Sequence, residues 1–160
     1  MSPSKPILTQ IEEGIVDMIE GIEPGLYSFK WMVNEPDYAK ATFPVANVYL
    51  EYETSLDDAN GPDSDMYFQE CSFRIDVMAR AEQENDNPRW DIQRDLNKAL
   101  DDLKRVFGRD YSVNNTADII MYRGMNIEYE RNNDIFMPAK MVTRWIVRYE
   151  QDRQNPEDLA

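Results

Sequence analysis

Carboxylates dominate the chemistry open to this sequence, and the partners they would need for catalysis are missing. Asp and Glu number 31 against 17 Lys and Arg, and no histidine occurs. Without imidazole, Ser-His-Asp and Cys-His nucleophilic sites, histidine acid–base steps and His-liganded zinc or iron are excluded. Cys71 is the single cysteine. It can close no intramolecular disulfide and joins no thiolate cluster, and on the apolar side of a predicted strand it reads as a small core residue. Paired acids can hydrolyse glycosides, and Glu128 and Glu130 fall on one face of a predicted strand, an arrangement common on any acidic sheet. The run Asp57-Asp58-Ala59-Asn60-Gly61-Pro62-Asp63-Ser64-Asp65 is oxygen-rich enough to suggest calcium. It fails the EF-hand template, because Asn60-Gly61 is the only piece in place and no bidentate Glu follows at the required offset. Asp57, Asp58, Asp63 and Asp65 are therefore read as charge on an exposed loop rather than as ligands. The six glycines stand at neither Walker nor Rossmann spacing. These observations predict no catalytic residues, no cofactor and no metal.

The large side chains suggest recognition instead. Nine Met, nine Tyr and three Trp are many for one small sheet, and such residues are enriched at interface cores as well as in half-buried sheets. Trp31, Trp145 and Tyr149 stand evenly between interface and core. Arg144 and Arg148, outward on the last predicted strand, are candidates for pairing with the acidic surface of a second copy.

The elements that must hold these residues follow from periodicity. Pro6 can open a helix in which Ile7, Leu8, Ile11, Ile15, Met18, Ile19 and Ile22 recur at spacings of three and four. Gly14 weakens its middle slightly, and Glu23-Pro24-Gly25 ends it. Alternation predicts strands over Tyr27–Val33, Val45–Glu53 and Met66–Ala81. On the third, Cys71, Phe73, Ile75, Val77 and Ala79 share one face, and Glu70, Ser72, Arg74, Asp76 and Met78 the other. Asn87-Pro88 is a cap followed by proline at the first helical position. The second helix runs through Ile92, Leu96, Leu100, Leu103 and Phe107, with Gly108 placed as its C′ glycine. The last third is predicted as a meander of three strands: Ile119–Arg123, Met125–Arg131 and Met141–Glu150. Helix, strands, helix, strands predicts an α+β single domain over 1–150, a mostly antiparallel sheet packed against two α-helices, with 151–160 as a polar tail.

At 160 residues the chain suits one domain that buries its own core. The formal net charge of −14 opposes attraction to nucleic-acid phosphate or to an anionic membrane surface. No signal peptide or membrane-spanning run is read, which predicts a soluble cytoplasmic product.

Three segments carry a resemblance. Phe43-Pro44-Val45-Ala46-Asn47-Val48-Tyr49-Leu50, then Phe73-Arg74-Ile75-Asp76-Val77-Met78-Ala79, and finally Trp145-Ile146-Val147-Arg148-Tyr149-Glu150 resemble, in order and spacing, strands of the tail terminator proteins of tailed bacteriophages. The similarity spans most of Ile7 to Glu150, with a longer Trp31–Thr42 segment and a longer tail than the family. The resemblance implies a structural virion protein of the tail or neck and no enzyme. It would form a homohexameric ring that ends tail-tube polymerisation and meets the head–tail connector. The ring would assemble in the host cytoplasm and let DNA pass without specific binding. An acidic lumen would repel phosphate and let the duplex slide, and Asp57, Asp58, Asp63 and Asp65, or the acids of the first helix, are its candidate lining. The alternative is an acidic DNA-mimic inhibitor of a nucleic-acid-binding protein.

Overall fold

Alternation along the longest strands sets the architecture. The computed structural model describes residues 5–22, 28–29, 44–56, 66–129 and 135–152. Its elements are α1 (Ile7–Glu20), β1 (Ser28–Phe29), β2 (Val45–Ser55), β3 (Met66–Glu82), α2 (Pro88–Arg109), β4 (Ile119–Tyr129) and β5 (Phe136–Asp152). The strands form one sheet in the order β1-β2-β3-β5-β4. The β2–β3, β3–β5 and β5–β4 pairings are antiparallel, and only the short β1 runs parallel to its neighbour β2. This is the expected α+β domain, with both helices packed on one face of the sheet.

That face is apolar because every second residue of the central strands is. Cys71, Phe73, Ile75, Val77 and Ala79 of β3 stand in register with Val147, Trp145, Thr143, Met141 and Ala139 of β5, and all are buried. The α2 side chains Ile92, Leu96, Leu103 and Phe107 close over them, and α1 contributes Ile7, Ile11, Ile15 and Ile19. Each such isoleucine withdraws apolar surface worth roughly 1.5–3 kcal/mol. Thr143 is the polar member of the layer, and it is satisfied: its hydroxyl donates to the Ile75 carbonyl at 2.7 Å and accepts from Trp145 Nε1 at 2.8 Å.

The start of α2 follows the sequence closely. The Asn87 side chain accepts from the Trp90 N–H at 3.2 Å, and Pro88 occupies the first turn, where a missing N–H costs nothing. Its end does not. The helix continues through Gly108 to Arg109 and is capped at Asp110. The Asp110 N–H closes the last helical turn on the Val106 carbonyl at 3.1 Å, and its carboxylate accepts from the Ser112 hydroxyl at 2.7 Å, the Ser112 N–H at 3.2 Å and the Asn114 N–H at 2.9 Å, which orders the turn beyond the stop expected at Gly108. Val113, Asn114 and Asn115 then turn left-handed, with φ of 51°, 55° and 61°. Asn tolerates this region, whereas a β-branched valine is strained there. Val113 holds it while fully buried against α1. Gly14 explains the fit: a Cβ at that position would stand 2.9 Å from the Val113 carbonyl oxygen. The glycine expected only to weaken α1 is what lets the loop approach it.

The predicted meander contains one strand fewer. Ile119–Tyr129 is continuous, because Arg123-Gly124 forms an irregularity between Tyr122 and Gly124 instead of a turn, and Gly124 absorbs it at φ 140°. Strand β5 is also longer than Met141–Glu150. It starts at Phe136, and Gln151 and Asp152 still pair with Tyr67 and Met66, so pairing runs past the expected domain edge at residue 150. Of the strand expected over Tyr27–Val33, Ser28 and Phe29 are described; the remaining positions lie outside the described residues.

Candidate functional site

The opposite face of the sheet collects the charges. Strand alternation turns Glu70, Ser72, Arg74 and Asp76 of β3 away from the helices, together with Lys140, Val142, Arg144, Ile146 and Arg148 of β5. β2 adds Asn47, Tyr49 and Glu51, and β4 adds Asn126 and Glu128. Acids and bases alternate across neighbouring strands. Glu70 stands 3.6 Å from Arg148, Glu51 3.8 Å from Arg144 and Glu128 3.6 Å from Lys140. The Asn126 side chain accepts from Arg144 at 3.2 Å, and Glu51 accepts from the Ser72 hydroxyl at 3.3 Å.

Asp76 is the most enclosed charge, its side chain only 2% exposed. Arg74 Nε lies 2.9 Å from Asp76 Oδ1 and forms an ion pair with it. The Arg74 guanidinium also covers the Tyr49 ring, 4.7 Å from its centroid. Burial pushes the Asp76 carboxyl above the usual carboxylate range, against the pull of Arg74 and Lys140. Met78, Val142 and Ile146 are buried on this side too, outside the helix-covered core. The face therefore combines paired charge with an apolar floor, a composition suited to contact with another macromolecular surface.

The structure separates the residues singled out from sequence. Arg144 and Arg148 lie on the charged face, both partly exposed and both with acidic neighbours in the same chain. Trp145 and Tyr149 point the other way and are 2% and 1% exposed. The Trp145 ring meets Phe107 at 4.9 Å between centroids and Tyr122 at 5.2 Å. The Tyr149 hydroxyl donates to the Glu53 carboxylate, and burial and that carboxylate together push its pKa far up. The interface role considered for Trp145 and Tyr149 is thus corrected to core. Alternation puts them one residue out of phase with the arginines, and the helices already cover them. Trp31, Asp57, Asp58, Asp63 and Asp65 lie outside the described residues. Cys71 is buried as expected, its thiol pushed up to about 12 first by burial and then by Glu53 and Glu70. Glu128 pairs with Lys140, and Glu130 lies outside the described residues.

Three features escaped sequence reasoning. Arg123 projects from the β4 irregularity, at the position expected to end one strand before the next began at Met125. Asp76 sits within a strand pattern that gave no sign of its burial. Trp90 is 62% exposed on the outer stripe of α2, where with Gln93, Arg94 and Asn97 it borders a hollow of about 330 Å³. A tryptophan three residues after an N-cap is the signal that could have marked it.

Among the described residues no group of three or more Cys, Asp or Glu side chains is arranged to hold a metal ion. No helix there is long and apolar enough to cross a membrane. Neither a protein-family model nor a curated protein matches the sequence.

Proposed function

We propose that this chain is a structural virion protein of the tail terminator or neck type. In this reading it forms a homo-oligomeric ring at the head-proximal end of a phage tail tube, stops tube growth and meets the head–tail connector. The observation that carries the reading is the position of the resembling segments. The described parts of all three fall on β2, β3 and β5, which are consecutive in the sheet. The charged face offers a surface for protein contact, and Glu13, Asp17 and Glu20 form an exposed acidic stripe along α1 that would repel DNA from a lumen wall. The described acids on the sheet face argue against the DNA-mimic alternative. Glu51, Glu70, Asp76 and Glu128 each have a cationic neighbour, whereas mimicry calls for unneutralised carboxylates at a phosphate-like pitch.

Sedimentation across a concentration series, with negative-stain images of any large species, tests the proposal. Six-fold rings with an open centre that bind purified tail tubes are the expected result. A monomer that ignores tube ends and binds a basic nucleic-acid-binding protein in a salt-sensitive manner overturns it in favour of mimicry.

A further inference from the structure

The two outer edges of the sheet are complementary. At one edge, the outer backbone of Tyr122–Tyr129 in β4 has no partner among the described residues; the nearest edge bond, from the Ile120 N–H to the Tyr111 carbonyl at 2.9 Å, lies just before this run. At the other edge, β1 pairs only with Val45 and Ala46, which leaves β3 as the described strand neighbour of Leu50–Thr54. Neither run contains lysine or proline, the residues most often used to blunt an edge, and each is interrupted by a single bulge, at Leu50/Tyr52 and at Tyr122/Gly124. Both expose large apolar side chains instead: Leu50 and Tyr52 on β2, and Met125 and Tyr129 on β4. The charges left over differ in sign. On the β4 run Glu128 is held by Lys140, and Arg123 is exposed and without an ion pair among the described residues, while the β2 run carries Glu51 and Glu53.

Strand direction completes the argument. Three successive antiparallel pairings make β4 run opposite to β2. A second copy set beside the first with the same strand axis therefore presents its β2 to β4 in antiparallel orientation. We propose that β4 of one copy pairs with the Leu50–Thr54 run of β2 in the next copy, Arg123 meeting the exposed Glu51 of the charged face. This contact uses two different surfaces, so it repeats head to tail and closes into a ring when the rotation allows. The inference rests on the self-assembly part of the reading above and names the surfaces that perform it.

Chains with one added, accessible cysteine test it directly, because Cys71 is buried and its thiol is held protonated. Tyr52→Cys and Met125→Cys chains, assembled together and treated with a short bis-maleimide, are expected to give a covalent dimer that neither chain gives alone. A dimer from Met125→Cys alone overturns the proposal by showing β4 paired with β4, and absence of the mixed product overturns it outright. Rings on grids without the mixed product sink this pairing but leave the ring reading standing. Mixed product in open filaments upholds the pairing and counts against the ring. Arg123→Glu should weaken self-association about tenfold while leaving the unfolding midpoint of the dissociated chain unchanged. An unchanged association constant overturns the Arg123 contact.

Discussion

Strands β3 and β5 show two faces built from interleaved residues of the same segments, and the contrast separates what holds this chain together from what it can offer outside. On the helix side, Met141, Thr143, Trp145, Val147 and Tyr149 succeed one another at every second position, all 2% exposed or less. The polar groups of that series, the Thr143 hydroxyl, the Trp145 N–H and the Tyr149 hydroxyl, are all hydrogen-bonded. On the other side, the intervening Lys140, Arg144 and Arg148 approach acids of the neighbouring strands at 3.6–3.8 Å, with the two arginine side chains still 47% exposed. Desolvated dispersion contacts give stability, whereas half-exposed ion pairs give little of it and set which surfaces can meet. A one-residue step along β5 thus exchanges one role for the other.

The largest expected effect breaks the helix side. Trp145→Ala removes the ring packed on Phe107 and Tyr122 and should cost about 3–5 kcal/mol, read as a lower denaturant midpoint. Arg144→Ala, its immediate neighbour, should cost no more than about 1 kcal/mol in the same experiment. Equal losses would show that the charged face carries core packing after all, and the comparison would fail.

Next comes the seam between α1 and the Val113 turn. Gly14→Ala should raise helix propensity by about 1 kcal/mol, yet the added Cβ would meet the Val113 carbonyl at 2.9 Å, backbone that cannot swing aside. Overpacking of this kind costs about 1–3 kcal/mol. A net loss is therefore expected, whereas a more stable Gly14→Ala chain would show that the turn yields.

That seam also marks where the sequence stopped being readable. Local signals transferred well: the alternation of Cys71 to Ala79 placed the core face of β3, and Asn87-Pro88 placed the start of α2, since both depend on neighbours a few residues apart. Glycines were misread wherever a distant segment decided their use. Gly14 serves a loop about a hundred residues further on, Gly108 is carried inside α2 because Asp110 caps beyond it, and Gly124 bends a strand without ending it. Pro138 hid the first part of β5. It is tolerated because the described β4 pairing ends at Tyr129 with Ala139, so β3 alone is its described strand neighbour. For the candidate site, periodicity assigned Arg144 and Arg148 to an outward face. It could not decide between interface and core for Trp145 and Tyr149, since either destination buries a large aromatic. The acid partners of the arginines come from β2 and β3, and no short-range pattern reveals a cross-strand register.

A smaller effect, in pH, sharpens the charged face. Because burial raises the Asp76 carboxyl above its unfolded value, the folded chain binds that proton more tightly than the unfolded one. Its contribution to stability is then fully present below the unfolded pKa and declines as pH rises through the folded pKa. Asp76→Asn removes the titration. Its stability relative to the parent should rise between pH 3 and pH 7, followed by chemical denaturation at each pH. A relative stability that falls over that range would mean that Arg74 and Lys140 outweigh burial.

The smallest expected effect concerns one surface pair. Arg148 and Glu70 lie 3.6 Å apart, the arginine 47% exposed and the glutamate 15%. A double-mutant cycle with Arg148→Ala and Glu70→Gln should return a coupling of about 0.2–1 kcal/mol at low salt. In 1 M salt the Debye length falls to about 3 Å, so most of that coupling should vanish. A coupling that survives high salt requires the pair to be shielded from solvent, which nothing on this face among the described residues provides for Arg148. Its persistence would therefore report a second surface lying over β5, and its dependence on protein concentration would show whether that surface belongs to another copy.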